Sequence, residues 1–220
     1  IRASDVPRDE IFLTTKVWHD QLADGDLQRS AEASLKRLGV DRVDLLLIHW
    51  PSPDVSVAEA VGALCAVRRA GLTRAIGVSN FPTALLREAA QVADHPLAVN
   101  QVEYHPYIDQ SKLLGALAEV HMGLTAYCPL ARGTIVEEPA VVSAAARHGV
   151  APSAIALAWL IGQPGVIAIP KSRSPARMRD SLAALSVTLS PEERAAIDAL
   201  RKPDGRLIDP TFAPEWDAAA

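Results

Sequence analysis

Short β-branched and apolar runs alternate along the chain with longer stretches whose apolar residues return every third or fourth position. That alternation is the mark of βα units built around a parallel sheet. It predicts strands over Ile11–Thr15, Val43–Ile48, Arg74–Val78, Leu97–Val102, Gly123–Tyr127 and Val166–Ile169. It predicts helices over Leu27–Leu38, Val57–Ala70, Thr83–Gln91, Ser111–His121 and Pro139–His148, then one capped by Ser153, then Pro175–Ala184 and Pro191–Leu200. Val43–Ile48 is apolar at almost every position, as a strand buried on both faces requires. Gly71 stands where the preceding helix would close in a left-handed conformation.

No linker or low-complexity stretch interrupts this rhythm, so residues 1–220 read as a single domain. Two α/β architectures fit: an open doubly wound sheet, or a (β/α)8 TIM-type barrel represented by about six βα units, the third to the eighth, in incomplete or rearranged form. No Gly-x-Gly-x-x-Gly follows any strand, which weighs against the dinucleotide-binding open sheet. The polar residues gather at the carboxyl ends of the strands, where barrel active sites lie. The barrel is the expectation.

Composition narrows the setting. The chain has 220 residues, 49% hydrophobic, with a formal net charge of −4 and no basic block, which speaks against a nucleic-acid partner. Apolar runs such as Ile155–Ile161 fall well short of a membrane span. Cys65 and Cys128, far apart in sequence, fit a reducing compartment better than a disulfide scaffold. A cytoplasmic protein with neither membrane nor nucleic-acid partners is expected. The opening Ile-Arg-Ala-Ser-Asp-Val-Pro has no initiator Met and reads as a helix end running into a loop, so an upstream segment is expected as well.

The strand ends carry the chemistry. In order they read Thr14-Thr15-Lys16-Val17-Trp18, Leu47-Ile48-His49-Trp50-Pro51, Gly77-Val78-Ser79-Asn80-Phe81, Asn100-Gln101-Val102-Glu103-Tyr104-His105, Ala126-Tyr127-Cys128-Pro129-Leu130 and Ile169-Pro170-Lys171-Ser172. A purely structural barrel has no use for these polar groups at a crowded core mouth. Glu103 and His105, two residues apart, have no third ligand at clear metal spacing, so structural hydrogen bonding is expected of them and no metal is assigned. His19 is a candidate lining for a substrate pocket.

These segments resemble the aldo-keto reductase family, essentially end to end. The closing Gly205-Arg206-Leu207 and Ala213-Pro214-Glu215-Trp216-Asp217 look most like bacterial reductases of 2,5-diketo-gluconate and methylglyoxal. The resemblance implies an NADPH-dependent reductase of small aldehydes and ketones. It gives Ser79, Asn80 and Gln101 the nicotinamide carboxamide, for which a hydroxyl and two amides are suitable partners. Tyr127 becomes the face on which the ring stacks. The alternative for Ser79 and Asn80 is that they cap the following helix. Lys171, Ser172 and Arg177, beside the helix that opens at Pro175, form an anion site, which the resemblance assigns to the 2′-phosphate of NADPH/NADP+; the alternative is a solvated charge cluster. Asp180-Ser181 stands where relatives often carry Glu-Asn, and Asp180 is kept as an adenine contact. Leu130–Gly133 is expected to turn backbone amides toward the pyrophosphate, with Arg132 adding charge.

By the same resemblance Lys16 and His49 are catalytic, Lys16 tuning the proton donor and His49 orienting the carbonyl, while Trp18 and Trp50 wall the substrate pocket. The family's proton-donating Tyr and its Asp would lie before Ile1, and neither Tyr104 nor Tyr107 matches the Tyr by motif. Lys16 without that Asp should have a lowered pKa if desolvated. A second reading is therefore a catalytically silent NADP(H)-binding remnant of the family. A third, from another class, is a Schiff-base lyase using Lys16 or Lys171. The family is monomeric, but a six-stranded piece would leave its first and last strands with open edges, so an edge-paired homodimer is the alternative.

Overall fold

The structure, a computed structural model, describes residues 5–218. The reading of Ile1–Pro7 as a helix end therefore falls partly on residues 1–4, outside the described ones. The chain divides into two compact units: Ile1–Asn100 with Phe212–Glu215, and Gln101–Thr211 with Trp216–Ala220.

The first unit holds β1 (Thr14–Val17), α1 (Asp26–Leu38), β2 (Val43–Ile48), α2 (Val57–Arg69), β3 (Thr73–Ser79), α3 (Thr83–Val92) and the first part of β4 (Leu97–Glu103). β1 pairs β2 and β2 pairs β3, both parallel, with Lys16 level with Leu47 and Leu47 level with Gly77. Every residue of β2 is buried, including Asp44, whose carboxylate is answered on all sides. It accepts from the Leu13 amide at 2.8 Å and from the Arg8 guanidinium at 3.1 Å, and it forms an ion pair with Arg74 at 3.3 Å. The Leu13 bond dominates in holding its pKa low, with Arg8 and Arg74 assisting against burial.

This anchor explains where the first strand departs from expectation. The apolar stretch around Ile11 is not laddered strand; Leu13 is held by the Asp44 side chain and accepts from the Asp44 and Leu45 amides, and regular pairing begins at Thr14. Gly77 shows how closely strands approach in this core: a Cβ there would lie 2.6 Å from the Val99 carbonyl oxygen and 2.9 Å from a Leu47 methyl. The helix before β3 closes as expected, with Gly71 at φ +76° and its amide bonded to the Arg68 carbonyl.

The second unit continues β4 from Gln101 and adds α4 (Ser111–Glu119), β5 (Gly123–Tyr127), a 3-10 segment (Ala131–Glu137), α5 (Pro139–His148), α6 (Pro152–Ile161), β6 (Val166–Ala168), α7 (Pro175–Leu182) and α8 (Pro191–Asp198). β5 and β6 run parallel, Leu124 level with Val166. α6 is apolar all round and buried from Ala154 to Leu160; its one polar ring atom, Trp159 Nε1, donates to Asp198 at 2.8 Å. Ser153 does not cap this helix. Pro152 takes the first helical position and Ala151 precedes it without a side-chain cap, because proline's fixed φ suits that position and sacrifices no hydrogen bond. Strand order follows chain order from β1 to β6, so every strand lies beside the one made before it, as right-handed βαβ crossovers in series produce. No single described helix is long and apolar enough to cross a membrane.

Candidate active site

In the first unit, β1 and β2 end side by side, Val17 level with Ile48, and the His49 amide donates to the Val17 carbonyl at 2.9 Å. The residues at those ends, Lys16, Trp18, His49 and Trp50, are thereby gathered in one place. The Trp18 ring meets the His49 imidazole edge-on at 4.8 Å. Phe212, which sequence reading did not single out, completes the cluster: its ring lies 4.2 Å from His19, 5.6 Å from Trp50 and 5.7 Å from Trp18. The result is an aromatic cluster that takes in two imidazoles, His49 and His19, with the Lys16 ammonium near His49.

That setting acts on both titratable groups. Burial, then the nearby charges of Lys16 and His19, push the His49 pKa from 6.5 down to about 4. Burial alone lowers that of Lys16, as expected of a partly desolvated cation. His49 is thus neutral at pH 7 and offers an N–H donor, while the Lys16 ammonium lies near enough for its charge to be felt at the ring. A neutral donor and a cation in a partly water-excluded cleft are suited to polarising a carbonyl oxygen and stabilising charge that develops on it.

Ser79 and Asn80 close β3 beside this cluster, both only 1% exposed. Asn80 adopts φ +63°, and its Nδ2 donates to the His49 carbonyl at 3.0 Å and to Ser79 Oγ at 3.2 Å. The side chain therefore ties the end of β3 to the end of β2. The capping alternative fails here: Pro82 precedes α3, and no side chain caps it. Asn100, also without an assigned role from sequence, donates to the Phe81 carbonyl at 2.7 Å and steadies the same turn.

In the second unit, Gln101 is buried on β4 and Tyr127 is half-buried at the end of neighbouring β5, its carbonyl accepting from the Tyr104 amide at 3.2 Å. The segment after Tyr127 turns sharply. Cys128, Ala131, Arg132 and Gly133 all have positive φ, three of them without glycine's freedom, a concentration of left-handed backbone that is typical of ligand-contacting loops. Two of its amides are used internally, Ala131 to the Cys128 carbonyl and Gly133 to the Leu130 carbonyl. Arg132 is exposed.

Lys171, Ser172 and Arg177 come together at the start of α7. Ser174 caps that helix by accepting from the Arg177 amide, and Ser172 Oγ accepts from the Ser174 amide at 3.1 Å. Lys171 and Arg177 are exposed around this turn, and Asp180 lies half-buried one turn further along. Two cations at a helix N-terminus are a suitable donor set for a phosphate. Beside it a pocket of about 340 Å³ is lined by Leu157, Ile161, Pro170, Met178, Leu182 and Leu185. Glu103 and His105 bond to each other at 2.9 Å, both fully buried, and the same carboxylate also accepts two backbone amides.

Parallel βα units with cation, imidazole and amide side chains at the strand ends are the arrangement that barrel-type enzymes use. Comparison with known proteins gives it a lineage: residues 1–202 match the aldo/keto reductase family, and the chain belongs to that family. It is 39% identical over 221 residues to methylglyoxal reductase DkgB of Escherichia coli O157:H7, covering 99% of this chain and 82% of that protein. It is 37% identical over 211 residues to an aldo-keto reductase of Mycobacterium avium (strain 104), covering 96% of this chain and 73% of the other. A crystal structure assigned as a 2,5-diketo-D-gluconic acid reductase B superposes with a TM-score of 0.96 at 44% identity, covering 99% of this chain and 78% of its own. Another aldo-keto reductase, complexed with NADPH, superposes with a TM-score of 0.88 at 27% identity, covering 97% and 72%. The fold is accordingly α/β of the TIM-barrel type, represented by six βα units, and the protein is an oxidoreductase.

Proposed function

We propose that this chain reduces small aldehydes and ketones, with methylglyoxal and keto-sugars as the substrate class, using NADPH. The observation that carries the reading is the aromatic cluster of the first unit, where a neutral His49 meets Trp18, Phe212 packs on Trp18 and Trp50, and the Lys16 ammonium lies near enough to act on the imidazole. His49 donates a hydrogen bond to the substrate carbonyl, and Lys16 offsets the negative charge that grows on its oxygen. The aromatic rings give one side of the site an apolar face against which a small carbonyl compound can pack. When bound, NADPH would supply a hydride to the carbonyl carbon, and a proton drawn from solvent water would complete the alcohol. Ser79, Asn80, Gln101 and Tyr127 are the groups for the nicotinamide. Lys171, Ser172 and Arg177 are those for the 2′-phosphate, which favours NADPH over NADH, with Asp180 toward the adenine. Two free cysteines, Cys65 and Cys128, are in keeping with a reducing, cytoplasmic setting.

One observation favours the silent NADP(H)-binding reading. The tyrosines of this chain are poor proton donors: burial, then the Glu138 carboxylate, pushes Tyr107 up to about 12, burial pushes Tyr104 up to about 12, and burial raises Tyr127 further. Tyr104 donates to Gln163 at 2.7 Å and Tyr107 to Glu138 at 2.6 Å.

The two readings part on one experiment: fluorescence titration with NADPH and NADH, followed by the loss of NADPH absorbance on adding methylglyoxal. The reductase reading expects tighter binding of NADPH than NADH, turnover, and a drop of about 10²- to 10³-fold in kcat for His49→Ala. Binding without turnover transfers the conclusion to the silent reading. Equal or absent binding of the two nucleotides rejects the cofactor assignment.

A further inference from the structure

The sharp turn after β5 has to be held from outside itself. Cys128, Ala131 and Arg132 keep left-handed φ of 53°, 46° and 55° without glycine's freedom, and such backbone persists only where its surroundings fix it. At its start, the Tyr127 carbonyl is pinned by the Tyr104 amide at 3.2 Å. Within the turn, the Ala131 and Gly133 amides bond to the Cys128 and Leu130 carbonyls at 2.8 and 2.7 Å, and the Thr134 hydroxyl donates to the Ala131 carbonyl at 2.9 Å. At the far end stands Glu138, the residue before α5. Its side chain does not cap that helix; the carboxylate is engaged by Tyr107 and Lys202 instead. The Tyr107 hydroxyl donates to Oε1 at 2.6 Å, and the Lys202 ammonium lies 3.6 Å from the same oxygen.

Tyr107, only 5% exposed, joins three segments: the exit of β4, the end of the 3-10 segment, and the chain after α8. Its ring lies beneath the Lys202 ammonium at 3.8 Å, and its carbonyl accepts from the Lys202 amide at 3.0 Å. A Cβ on Gly205 would lie 2.1 Å from that carbonyl oxygen, so the chain after α8 fits against Tyr107 only because the residue there is glycine. That chain is itself fixed. In the closing loop that Gly205 begins, the Leu207 and Ile208 amides donate to the buried Glu103 carboxylate, each at 2.9 Å. Burial and the Glu138 carboxylate push the Tyr107 pKa up to about 12, so its hydroxyl stays protonated and donating at neutral pH. All of these residues lie in the second unit.

We propose that Tyr107 is a positioning residue: by clamping Glu138 to the chain after α8, it holds the turn Cys128–Gly133 in its left-handed form and so sets how long a bound nucleotide stays. The clamp itself belongs to the second unit alone; its effect on the nucleotide rests on the NADPH reading above, with the Leu130–Gly133 backbone toward the pyrophosphate. Tyr107 touches no reacting atom. Loss of its hydroxyl frees the turn to open, and a ligand held by preorganised backbone then leaves sooner while arriving at the same rate.

Hydrogen exchange read by NMR tests the clamp without any ligand. Tyr107→Phe keeps the ring under Lys202 and deletes the bond to Glu138. It should speed exchange of the Ala131 and Gly133 amides about tenfold, the size expected when one hydrogen bond to a charged group is lost. The Leu124 amide on β5, bonded to the Gly165 carbonyl, should exchange as before. Glu138→Ala should give the same pattern, and the double variant should add little to either. With NADPH, stopped-flow fluorescence should show dissociation about tenfold faster from Tyr107→Phe and association within about twofold. Should Tyr107→Phe fail to fold, Lys202→Met, a change at an exposed side chain, takes its place and must give the same pattern. Turn amides that are unmoved in the folded variant, or that move no more than Leu124, overturn the proposal. So does an unchanged NADPH dissociation rate in a variant whose turn has loosened. Faster exchange in a chain that binds no NADPH keeps the clamp and rejects only the cofactor reading.

Discussion

At the scale of single residues, the site is defined by what burial does to ionisation. His49 is held neutral by desolvation first and by the charges of Lys16 and His19 second. An NMR titration should place its midpoint near 4, and Lys16→Met should raise that midpoint by removing a neighbouring cation. A midpoint unchanged by the substitution would mean that Lys16 does not act on the ring. The sign for stability follows from linkage. A group whose folded pKa is depressed contributes stability that is complete above its unfolded value, here 6.5, and is lost as pH falls toward about 4. Strand ends in an α/β fold are where such polar side chains gather, which drew attention to Lys16 and His49, while their roles came from the family resemblance. Phe212 drew none, since its partners lie some two hundred residues earlier and no periodicity marks a loop. Glu103 and His105 were read as structural hydrogen bonding, and they bond to each other; that the carboxylate also holds Leu207 and Ile208 was hidden for the same reason.

At the scale of elements, the helix ends show how local sequence governs stability. α8 opens with a capping box: Ser190 accepts from the Glu193 amide and the Glu193 carboxylate accepts from the Ser190 amide. The same carboxylate receives Arg147 and His148, each at 2.9 Å, joining α8 to the end of α5. The His148 bond, then the Ser190 amide, then Arg147 hold its pKa at about 2 instead of 4.5. Ser190→Ala should lower unfolding free energy by about 1 kcal/mol, the usual worth of such a cap, read from urea titration at neutral pH. The stability tied to Glu193 is present above about pH 4.5 and is lost as pH falls toward 2. The cost of Ser190→Ala should therefore differ between neutral pH and about pH 2, because only there does the box lose its charged half. An identical cost at both would separate the cap from the carboxylate. Element existence was readable from periodicity throughout, whereas boundaries yielded to tertiary contacts: Asp44 claims Leu13 and delays the first strand, and Pro152 displaces Ser153 as the start of α6.

At the scale of the whole molecule, several large apolar side chains among the described residues lie exposed near one another in sequence in the second unit: Ile167, Ile169, Met178, Leu182 and Leu185, with Leu185 74% exposed. They flank β6, last in the strand order. A strand with an open side next to apolar surface invites association, and the modest net charge of −4 opposes it weakly. Light scattering of the unsubstituted chain should show mass that rises with concentration. Leu182→Gln combined with Leu185→Gln should suppress that rise without shifting the thermal midpoint. A rise that persists in the double variant would place the sticky surface elsewhere, and none in the unsubstituted chain would dismiss it.

The agreement of strand order with chain order has a consequence for how such a molecule is made. A polypeptide leaves the ribosome from its amino end, and domains take shape as they emerge. Here each strand finds its partner in the βα unit synthesised just before it, in the first unit from β1 to β4 and in the second from β4 to β6. Among the described strands, each after β1 meets a partner already translated, so assembly can proceed by adding one unit at a time to an existing edge. The exception is the closing loop: Glu103 is translated about a hundred residues ahead of Leu207 and Ile208, so its buried carboxylate acquires its two backbone donors only after all six strands have been made.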